Sequence, residues 1–183
     1  MDIRTLQIPG PVVIVPRKFG DARGFFSETF SDAAFTAKVA PVRFVQENHS
    51  YTERAGTIRG IHFQVPPHTQ GKLVRVARGA IFDVVVDLRT GSENFGRHAF
   101  IELSAANWNQ LWVPEGFGHG FCTLEPHTDV IYKVTSPYHP DSDRGIAWDD
   151  PGLAINWPLD NREPLLSERD RHHPRLAEAP AYF

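Results

Sequence analysis

Short runs of alternating apolar and polar residues follow one another along most of the chain between residues 58 and 133. The clearest of these runs are residues 73–76, 80–88 and 100–103, and turn-forming residues separate them. Alternation with a period of two places successive side chains on opposite faces of a strand, whereas a helix has a period near 3.6. Many short strands at this spacing predict an all-β sandwich or barrel.

The N-terminal region adds a few elements to this pattern. Residues 12–15 form an apolar run closed by a proline at each end, which predicts a short buried or edge strand. A glycine-containing turn then leads into a predicted strand over residues 25–30. Ser31 or Asp32 can cap a helix that runs to Val39, the clearest helical stretch in the first half of the chain.

The segments 58–64 and 72–76 flank a Pro-Pro turn and carry several ionisable side chains. Alternation along the first segment places Arg59 on one face and His62 on the other, and Lys72 begins the second segment. We predict a hairpin that brings an imidazole close to an ammonium and a guanidinium. An imidazole exchanges protons near neutral pH, whereas the other two groups hold their positive charge more firmly. This combination suits proton abstraction beside a stabilised anion.

The length of the chain predicts one domain that spans residues 1–183, because 183 residues can bury one core but are few for two. The tail from Pro137 is rich in Pro, Asp and Trp. We expect it to wrap the core and to end in a short helical segment near Ser167–His172.

The net charge and the cysteine content exclude several classes of protein. A formal charge of −3 gives no long-range attraction for phosphate backbones, so we predict no nucleic-acid partner. Cys122 is the single cysteine, which rules out an internal disulfide and fits a reducing compartment. Because we find neither a signal segment nor an uninterrupted apolar run, we expect no membrane association and a cytoplasmic location.

A turn motif places a second histidine in the strand-rich region. Pro114, Gly116 and His119 have the Pro-x-Gly-x-x-His arrangement of the second cupin motif, which brings a histidine into the mouth of a small β-barrel. The alternative is that the proline and glycine only form a hairpin and that His119 is a packed core residue.

The matching first motif lacks most of the ligands that a metal would need. His62 is followed by Phe63 and Gln64, so the second histidine of that motif is absent, and no acidic residue occurs before Lys72. His62, His119 and the distant His68 are too few for the three protein ligands of a typical catalytic zinc or iron site. We therefore predict acid–base chemistry without a metal.

Several longer motifs, taken together, resemble the dTDP-4-dehydrorhamnose 3,5-epimerase family. The resemblance runs from about Arg4 to Asp170, and the agreement of several motifs in order is far more specific than any one motif. The motifs are Arg23-Gly24-Phe25-Phe26-x-Glu28, Val45-Gln46-x-Asn48-x-Ser50, Arg59-Gly60-x-His62-x-Gln64, Gln70-Gly71-Lys72-Leu73-Val74-Arg75, Trp112-x-Pro114-x-Gly116-Phe117-x-His119-Gly120-Phe121, Tyr132-Lys133 and Leu166-Ser167-x-x-Asp170.

The resemblance implies a fold and a reaction. The fold is a cupin-type antiparallel β-barrel, or jelly roll, with a few short helices. The substrate is a dTDP-linked 4-keto-6-deoxyhexose, in which the hydrogens at C3 and C5 are acidic because they lie beside the carbonyl group. The resemblance implies His62 as the base, Asp170 as its partner, Tyr132 as the acid, and Lys72 as the cation at the enolate oxygen, with no cofactor.

The resemblance also implies the residues that hold the nucleotide and the sugar. Arg23 and Arg59 match contacts to the pyrophosphate, and Tyr138 matches an aromatic ring that stacks on thymine. Asp143 replaces the more usual Glu, and Arg169 the more usual Lys. The full expected substrate-binding set is Arg23, Phe26, Glu28, Gln46, Glu47, Asn48, Ser50, Arg59, Lys72, His119, Tyr138, Asp143 and Arg169.

Dimers of this family also suggest that the N-terminal arm joins the sheet of a second subunit, so we expect a homodimer. The resemblance favours epimerisation of dTDP-4-dehydro-6-deoxy-D-glucose at C3 and C5 to dTDP-4-dehydro-L-rhamnose. Three other functions remain open at this point: a single-centre epimerase of antibiotic-sugar synthesis, a non-catalytic sugar-binding cupin, and a metal-dependent cupin dioxygenase.

Overall fold

A computed structural model describes residues 1–183 and contains thirteen strands with one α-helix. Helix α1 spans Asp32–Lys38, and short 3₁₀ turns lie at Pro140–Ser142 and Leu176–Glu178. The strands are β1 Asp2–Thr5, β2 Val12–Val15, β3 Phe19–Asp21, β4 Gly24–Phe26, β5 Gln46–Thr52, β6 Ile58–Gln64, β7 Lys72–Arg78, β8 Ala80–Asp87, β9 His98–Ser104, β10 Gln110–Val113, β11 Phe117–Thr123, β12 Thr128–Val134 and β13 Asp143–Gly145.

Two antiparallel sheets pack face to face. The larger sheet has the order β1-β2-β10-β7-β12-β5, and the smaller has the order β13-β6-β11-β8-β9. Apolar side chains from both inner faces form one core between them, with Val74 and Leu111 from the larger sheet and Val85 and Phe121 from the smaller. The prediction of an all-β sandwich or barrel is confirmed.

Other parts of the chain cover the outer faces of both sheets. Phe35 of α1 packs with Trp112 on the outer face of the larger sheet. The C-terminal tail covers the smaller sheet, where Trp157 and Leu153 join a second apolar cluster with Ile61. The tail therefore wraps the core, as its composition predicts.

The local predictions outside the main sheets are only partly correct. Helix α1 begins after Ser31, whose Oγ accepts a hydrogen bond from the Ala34 amide at 3.4 Å. The strand expected over residues 25–30 ends at Phe26, where pairing with β3 stops. The helical segment predicted near Ser167–His172 is wrong, because those residues form a succession of turns.

The predicted hairpin of the segments 58–64 and 72–76 is also wrong in its topology. β6 belongs to the smaller sheet and β7 to the larger, so the Pro-Pro turn carries the chain from one sheet to the other. β6 pairs instead with β11 and β13, and β7 pairs with β10 and β12. The two segments face each other across the sandwich, and the ionisable groups still converge.

A bulge in β6 changes the faces on which its side chains lie. His62 pairs with His119 and Arg59 pairs with Phe121, so three steps along β6 correspond to two steps along β11. One extra residue reverses the alternation, as bulges do. Gly60 lies at this position, where a Cβ would be 2.4 Å from Cα of Gly120. Arg59 and His62 consequently face the same cleft, whereas simple alternation separates them.

Candidate active site

The main cleft lies between the two sheets at the open end of the sandwich and has a volume of about 420 Å³. His62, Lys72, Tyr132 and Asp170 all line it, and His119 and Ser50 lie in its wall. A smaller adjoining recess shares the first three of these residues. The sequence-predicted residues that line this recess are Gln46, Asn48, Tyr138, Asp143 and Arg169. The structure thus brings the four predicted catalytic side chains to one cleft.

His62 is hydrogen-bonded to a carboxylate from the C-terminal tail. Its Nε2 lies 2.5 Å from Oδ1 of Asp170, although the two residues are 108 positions apart in the chain. Burial lowers the pKa of His62, and the bond to Asp170 partly offsets this effect. Because Nε2 is engaged, Nδ1 is the ring nitrogen left free to take a proton.

The carboxylate of Asp170 is held in its ionised form. Burial alone would raise its pKa, but the imidazoles of His173 and His62 outweigh that effect and hold the pKa well below its usual range. The Asp170 backbone amide also donates to Oγ of Ser167 at 3.1 Å, which fixes the turn that carries the carboxylate. An ionised partner stabilises the protonated form of an imidazole base.

Lys72 extends from the opposite sheet toward the same point. Its Nζ donates to the backbone carbonyl of His62 at 3.2 Å, and its side chain is buried. Burial lowers the pKa of Lys72 to about 8, with the carboxylates of Asp143 and Asp83 opposing the shift. The ammonium is therefore charged at neutral pH and close to losing its proton.

Tyr132 lies on the same sheet as Lys72 and faces His62 across the cleft. Val74 pairs with Tyr132 and Val134 pairs with Lys72, so the two side chains are neighbours on one face. Burial raises the pKa of Tyr132, and the positive charge of Arg59 partly offsets this increase. A phenol and an imidazole thus approach the cleft from opposite walls.

His119 has a structural partner that sequence reasoning passed over. Its Nε2 lies 2.7 Å from Oδ1 of Asp83, and both side chains are almost fully buried. The signal was present, because Asp83 interrupts an otherwise apolar strand, β8. Both readings of His119 therefore hold in part: it is packed and hydrogen-bonded, and it also lines the cleft.

The expected nucleotide-binding groups cluster around the adjoining recess. The Gln46 amide donates to Asn48 at 2.7 Å, and Arg169 forms an ion pair with Asp143. Tyr138 is 56% exposed at the rim. Its pKa is raised, chiefly by a hydrogen bond to Asp143.

Gln64 holds the segment that carries Tyr138. Its buried side-chain amide donates to the carbonyls of His68 and Pro137, at 2.7 and 3.1 Å. The side-chain oxygen accepts a hydrogen bond from the backbone amide of His139 at 2.7 Å. One amide group therefore joins the turn after β6 to the loop after β12.

Four residues of the expected substrate-binding set lie outside both the cleft and the adjoining recess of this chain. Arg23 is 90% exposed on the β3–β4 hairpin and pairs with Asp21, while Phe26 and Glu28 lie on or just beyond the same hairpin. Glu47 alternates onto the outer face of β5. There it pairs with Lys133 at 2.5 Å and does not line the cleft of its own chain, so its expected contact with substrate stays a prediction.

One histidine beside the catalytic candidates was not anticipated. His173 lies 3.6 Å from Oδ1 of Asp170, and its ring meets that of His62 edge to face at 5.4 Å between centroids. No motif marks it, because its proximity depends on how the tail folds back. The cleft is also lined by six residues that were not predicted as site residues: Thr57, Ile58, Phe121, Leu165, Leu166 and Ser167.

His62, Asp170 and His173 place three possible metal-binding atoms within 4.8 Å of one another. The 2.5 Å separation of His62 Nε2 and Asp170 Oδ1 is that of a hydrogen bond. It is shorter than the roughly 3 Å between two ligands bound to one zinc ion at about 2 Å each. Lys72 and Arg169 also place positive charge close to His62. The donor set therefore fits a hydrogen-bonded cluster better than a metal centre.

Comparison with known proteins defines the family. The family model for dTDP-4-dehydrorhamnose 3,5-epimerase matches residues 5–178. The chain is also 51% identical over 183 residues to the dTDP-4-dehydrorhamnose 3,5-epimerase of Sinorhizobium fredii, which covers all of this chain and 93% of that protein. The chain belongs to this epimerase family.

Solved structures agree with this membership of the epimerase family. The structure of dTDP-6-deoxy-D-glucose-3,5-epimerase from Legionella pneumophila, in complex with dTDP-4-keto-L-rhamnose, has a TM-score of 0.94 and 42% identity. That match covers 98% of this chain and 95% of the other. A 3'-monoepimerase from Streptomyces bikiniensis, in complex with dTDP-quinovose, has a TM-score of 0.87 and 35% identity over 94% of this chain and 86% of its own. The predicted jelly-roll fold of the cupin-type epimerases is confirmed.

A membrane-spanning helix must be both long enough and apolar enough to cross a bilayer. None of the helices in this structure meets these requirements.

Proposed function

We propose that this isomerase inverts C3 and C5 of dTDP-4-dehydro-6-deoxy-D-glucose to give dTDP-4-dehydro-L-rhamnose, a step toward activated rhamnose. The observation that carries the proposal is the arrangement of His62 and Tyr132 on opposite walls of one cleft, with Lys72 beside them. Epimerisation through an enolate needs a base on one face, an acid on the other, and a cation at the oxygen.

The proposed mechanism starts with proton abstraction by His62. Nδ1 of the neutral imidazole takes the proton from the carbon beside the C4 carbonyl, and Asp170 stabilises the imidazolium that forms. The electron pair of the broken C–H bond moves onto the C4 oxygen, where the Lys72 ammonium stabilises the negative charge. Tyr132 then donates its proton to the opposite face of the carbon, which inverts the centre.

One inversion leaves His62 protonated and Tyr132 ionised. Both residues return to their starting states by exchanging protons with solvent before the second centre reacts, so each inverted carbon acquires a hydrogen from water. Incorporation of deuterium from deuterated water at C3 or C5 therefore shows which carbon has reacted. The burial that raises the pKa of Tyr132 also favours its return to the neutral phenol.

We also propose that the recess beside the cleft holds the nucleotide. Tyr138 is exposed at its rim, where it can stack on thymine, and Gln46 and Asn48 present amide groups for hydrogen bonds. Arg59 carries a guanidinium at the cleft for the pyrophosphate. Asp143 is held by Arg169, so we expect the shorter carboxylate to contact the substrate weakly or through water.

A second copy of the chain supplies the remaining contacts in this proposal. Arg23, Phe26 and Glu28 match positions that bind substrate in the family, yet they lie outside the cleft of their own chain. Phe26 is 71% exposed, and Phe19 and Phe25 of the same hairpin are also exposed, as expected of a surface that another molecule covers. We expect β1, an exposed strand at the edge of its own sheet, to take part in the dimer.

Mixing two inactive variants tests the shared site. Arg23→Ala and His62→Ala are each expected to be inactive, but a mixed dimer has one complete site if Arg23 acts on the partner's cleft. Random mixing in equal amounts should restore about one quarter of the wild-type activity. A mixture that remains inactive after verified subunit exchange would show instead that one chain supplies both residues to each site.

The proposal includes two further points about the protein. Residues 1–183 are taken as a single domain, since both sheets contribute to one core. The second point is a cytoplasmic location, which a single free cysteine, Cys122, fits because it forms no disulfide within the chain. Burial of this residue raises the pKa of its thiol to about 11.

A single-centre epimerase is the second candidate function. The similarity to the Streptomyces bikiniensis 3'-monoepimerase favours it, because the same acid and base can serve one carbon or two. A non-catalytic sugar-binding protein would not need the His62–Asp170 pair opposite Tyr132.

Incubation with dTDP-4-keto-6-deoxyglucose in deuterated water distinguishes these functions. NMR should reveal deuterium at both C3 and C5 together with the L-rhamno product. Deuterium at one centre only would establish the monoepimerase, and no exchange at either centre would overturn the enzymatic proposal. Metal analysis of the same active preparation tests the metal-free mechanism.

A further inference from the structure

His173 lies beside the carboxylate of Asp170, outside the lining of the substrate cleft. Its Nε2 is 3.6 Å from Oδ1 of Asp170, the same oxygen that His62 Nε2 approaches at 2.5 Å. His173 does not line the cleft, and its side chain is only 11% exposed. Two imidazoles therefore approach one carboxylate oxygen, but only that of His62 lines the cleft.

The surrounding backbone holds the His173 ring in this position. The ring lies against Gly145, where a Cβ would be 2.4 Å from Nε2, so only glycine leaves room for it. Gly145 is paired with His62 across the β13–β6 ladder. The Ala147 amide donates to the carbonyl of Pro174 at 2.8 Å, which anchors the chain immediately after His173.

Nε2 of His173 is buried and has no other polar partner. A buried ring nitrogen without a hydrogen bond is costly, and the Asp170 carboxylate is the polar group toward which it is directed. A movement of less than about 1 Å would close the gap to hydrogen-bond distance. We propose that His173 is a positioning residue that acts on His62 through Asp170.

This inference rests on the proposed function of His62 as the base, and it predicts the direction of a shift. A donor on Asp170 draws part of the carboxylate's charge away from His62. Without that donor, the full charge acts on His62, its imidazolium becomes more stable, and its pKa rises. The strongly lowered pKa of Asp170, to which His173 contributes alongside His62, agrees with a shared carboxylate.

Other charged or titratable groups near His62 also affect its pKa, and a substitution of His173 alone leaves them in place. These groups come from four elements of the structure. Arg169 and Asp170 lie in the C-terminal turn, Lys72 on β7, Tyr132 on β12, and His119 on β11.

His173→Gln and His173→Met form a matched pair for the test. The two side chains are similar in length and volume, but only glutamine places a hydrogen-bond donor near the position of Nε2. In the pH dependence of kcat/KM with the keto-sugar nucleotide, we expect His173→Met to move the midpoint of the acid limb upward by about 0.5–1 pH unit. We expect His173→Gln to remain close to wild type, and the rate on the plateau to change less than about threefold in both variants.

Equal midpoints in wild type and His173→Met would overturn the proposal, and so would equal shifts in both variants, which would indicate packing alone. An NMR titration of wild-type His62 needs no variant and no activity. If Asp170 couples the two rings, the His62 signal should have a second inflection at the same pH as an inflection of the His173 signal, and its absence would contradict the coupling. This titration remains decisive even if wild type proves inactive on the keto sugar, which would refute only the proposed function.

Discussion

Lys72 and His62 are joined across the two sheets, because the ammonium of one donates to the backbone carbonyl of the other at 3.2 Å. The bond ties the proposed cation to the strand that carries the proposed base. The relative position of these two groups therefore does not depend on a flexible loop. Epimerisation needs such a fixed relationship, since negative charge develops on the C4 oxygen in the same step in which the proton leaves the neighbouring carbon.

Replacing His62 by alanine should abolish deuterium exchange at both C3 and C5. The loss should be at least about 10²–10⁴-fold, which is the usual contribution of a positioned general base. Exchange is followed by NMR in deuterated water. His49→Ala is the control, because His49 pairs with Asp129 on the exposed side of β5. Wild-type exchange in His62→Ala would remove His62 from the mechanism.

Tyr132→Phe should separate deprotonation from inversion. His62 can still remove a proton and return a deuteron to the same face, so exchange should persist while formation of the inverted product falls about 10²-fold or more. Deuterium content and product stereochemistry are measured in the same sample. Inversion at the normal rate would rule out Tyr132 as the acid. Tyr51→Phe, which changes an exposed phenol bonded to His127, is the matched control.

The alkaline limb of the pH profile should report on Lys72. Because the pKa of Lys72 is lowered to about 8, its charge is lost as the pH rises through that value, and kcat/KM should fall accordingly. In Lys72→Arg the guanidinium keeps its charge, so the plateau should be lower but the limb should move upward. A limb that stays near pH 8 in this variant would assign it to another group. Lys133→Arg, on the outer face, should leave the profile unchanged.

Lys72→Met should make the protein more stable at neutral pH. Below pH 8 the lysine is protonated in both states, so the folded state carries the full cost of a buried charge. Between about 8 and 10.5 the unfolded state binds more protons, and wild-type stability rises with pH. The variant should gain up to about 3 kcal/mol at pH 7, and the gain should shrink by pH 10. Denaturant unfolding measures the free energy of unfolding of both proteins at pH 7 and pH 10. A stability difference between them that is the same at the two pH values would contradict a buried charge on Lys72.

Asp170→Asn should destabilise the protein by about 1–3 kcal/mol at pH 7. The pKa of Asp170 is lowered in the folded state. Its contribution is therefore fully present above the unfolded pKa, near 4, and is lost as the pH falls through the folded value. The difference between wild type and variant should narrow progressively below pH 4. A difference that is constant from pH 7 to pH 3 would indicate that the carboxylate's charge contributes nothing.

The strands were largely predictable because each one has a local signature. Each strand segment is bounded by turn residues, and its residues either alternate between apolar and polar or are apolar throughout, as in 12–15, 58–64 and 80–88. These local features predict the strands that form the sheets. The pairing of strands is not local. The Pro-Pro turn after Gln64 allows either a hairpin or a crossing between sheets, and only the packing of the whole core selects the crossing.

The site was predictable where a motif marks it and not where the chain folds back. Family resemblance supplied Asp170, although nothing in the local sequence distinguishes it from a surface aspartate. His173 has no such motif, and its position depends on the tail lying against Gly145. Arg59 and His62 were assigned to opposite faces because alternation cannot reveal the extra residue at the bulge.

The three hydrogen bonds of Gln64 have a consequence for how a nucleotide is received. The turn at His68 and the loop at Tyr138 are connected through a single side chain, so neither can shift without disturbing the other. If thymine stacks on Tyr138 as proposed, we expect it to restrain the crossover that joins the strand of His62 to the strand of Lys72. Binding of the unreactive end of the substrate would then also steady the two strands that carry the proposed base and cation.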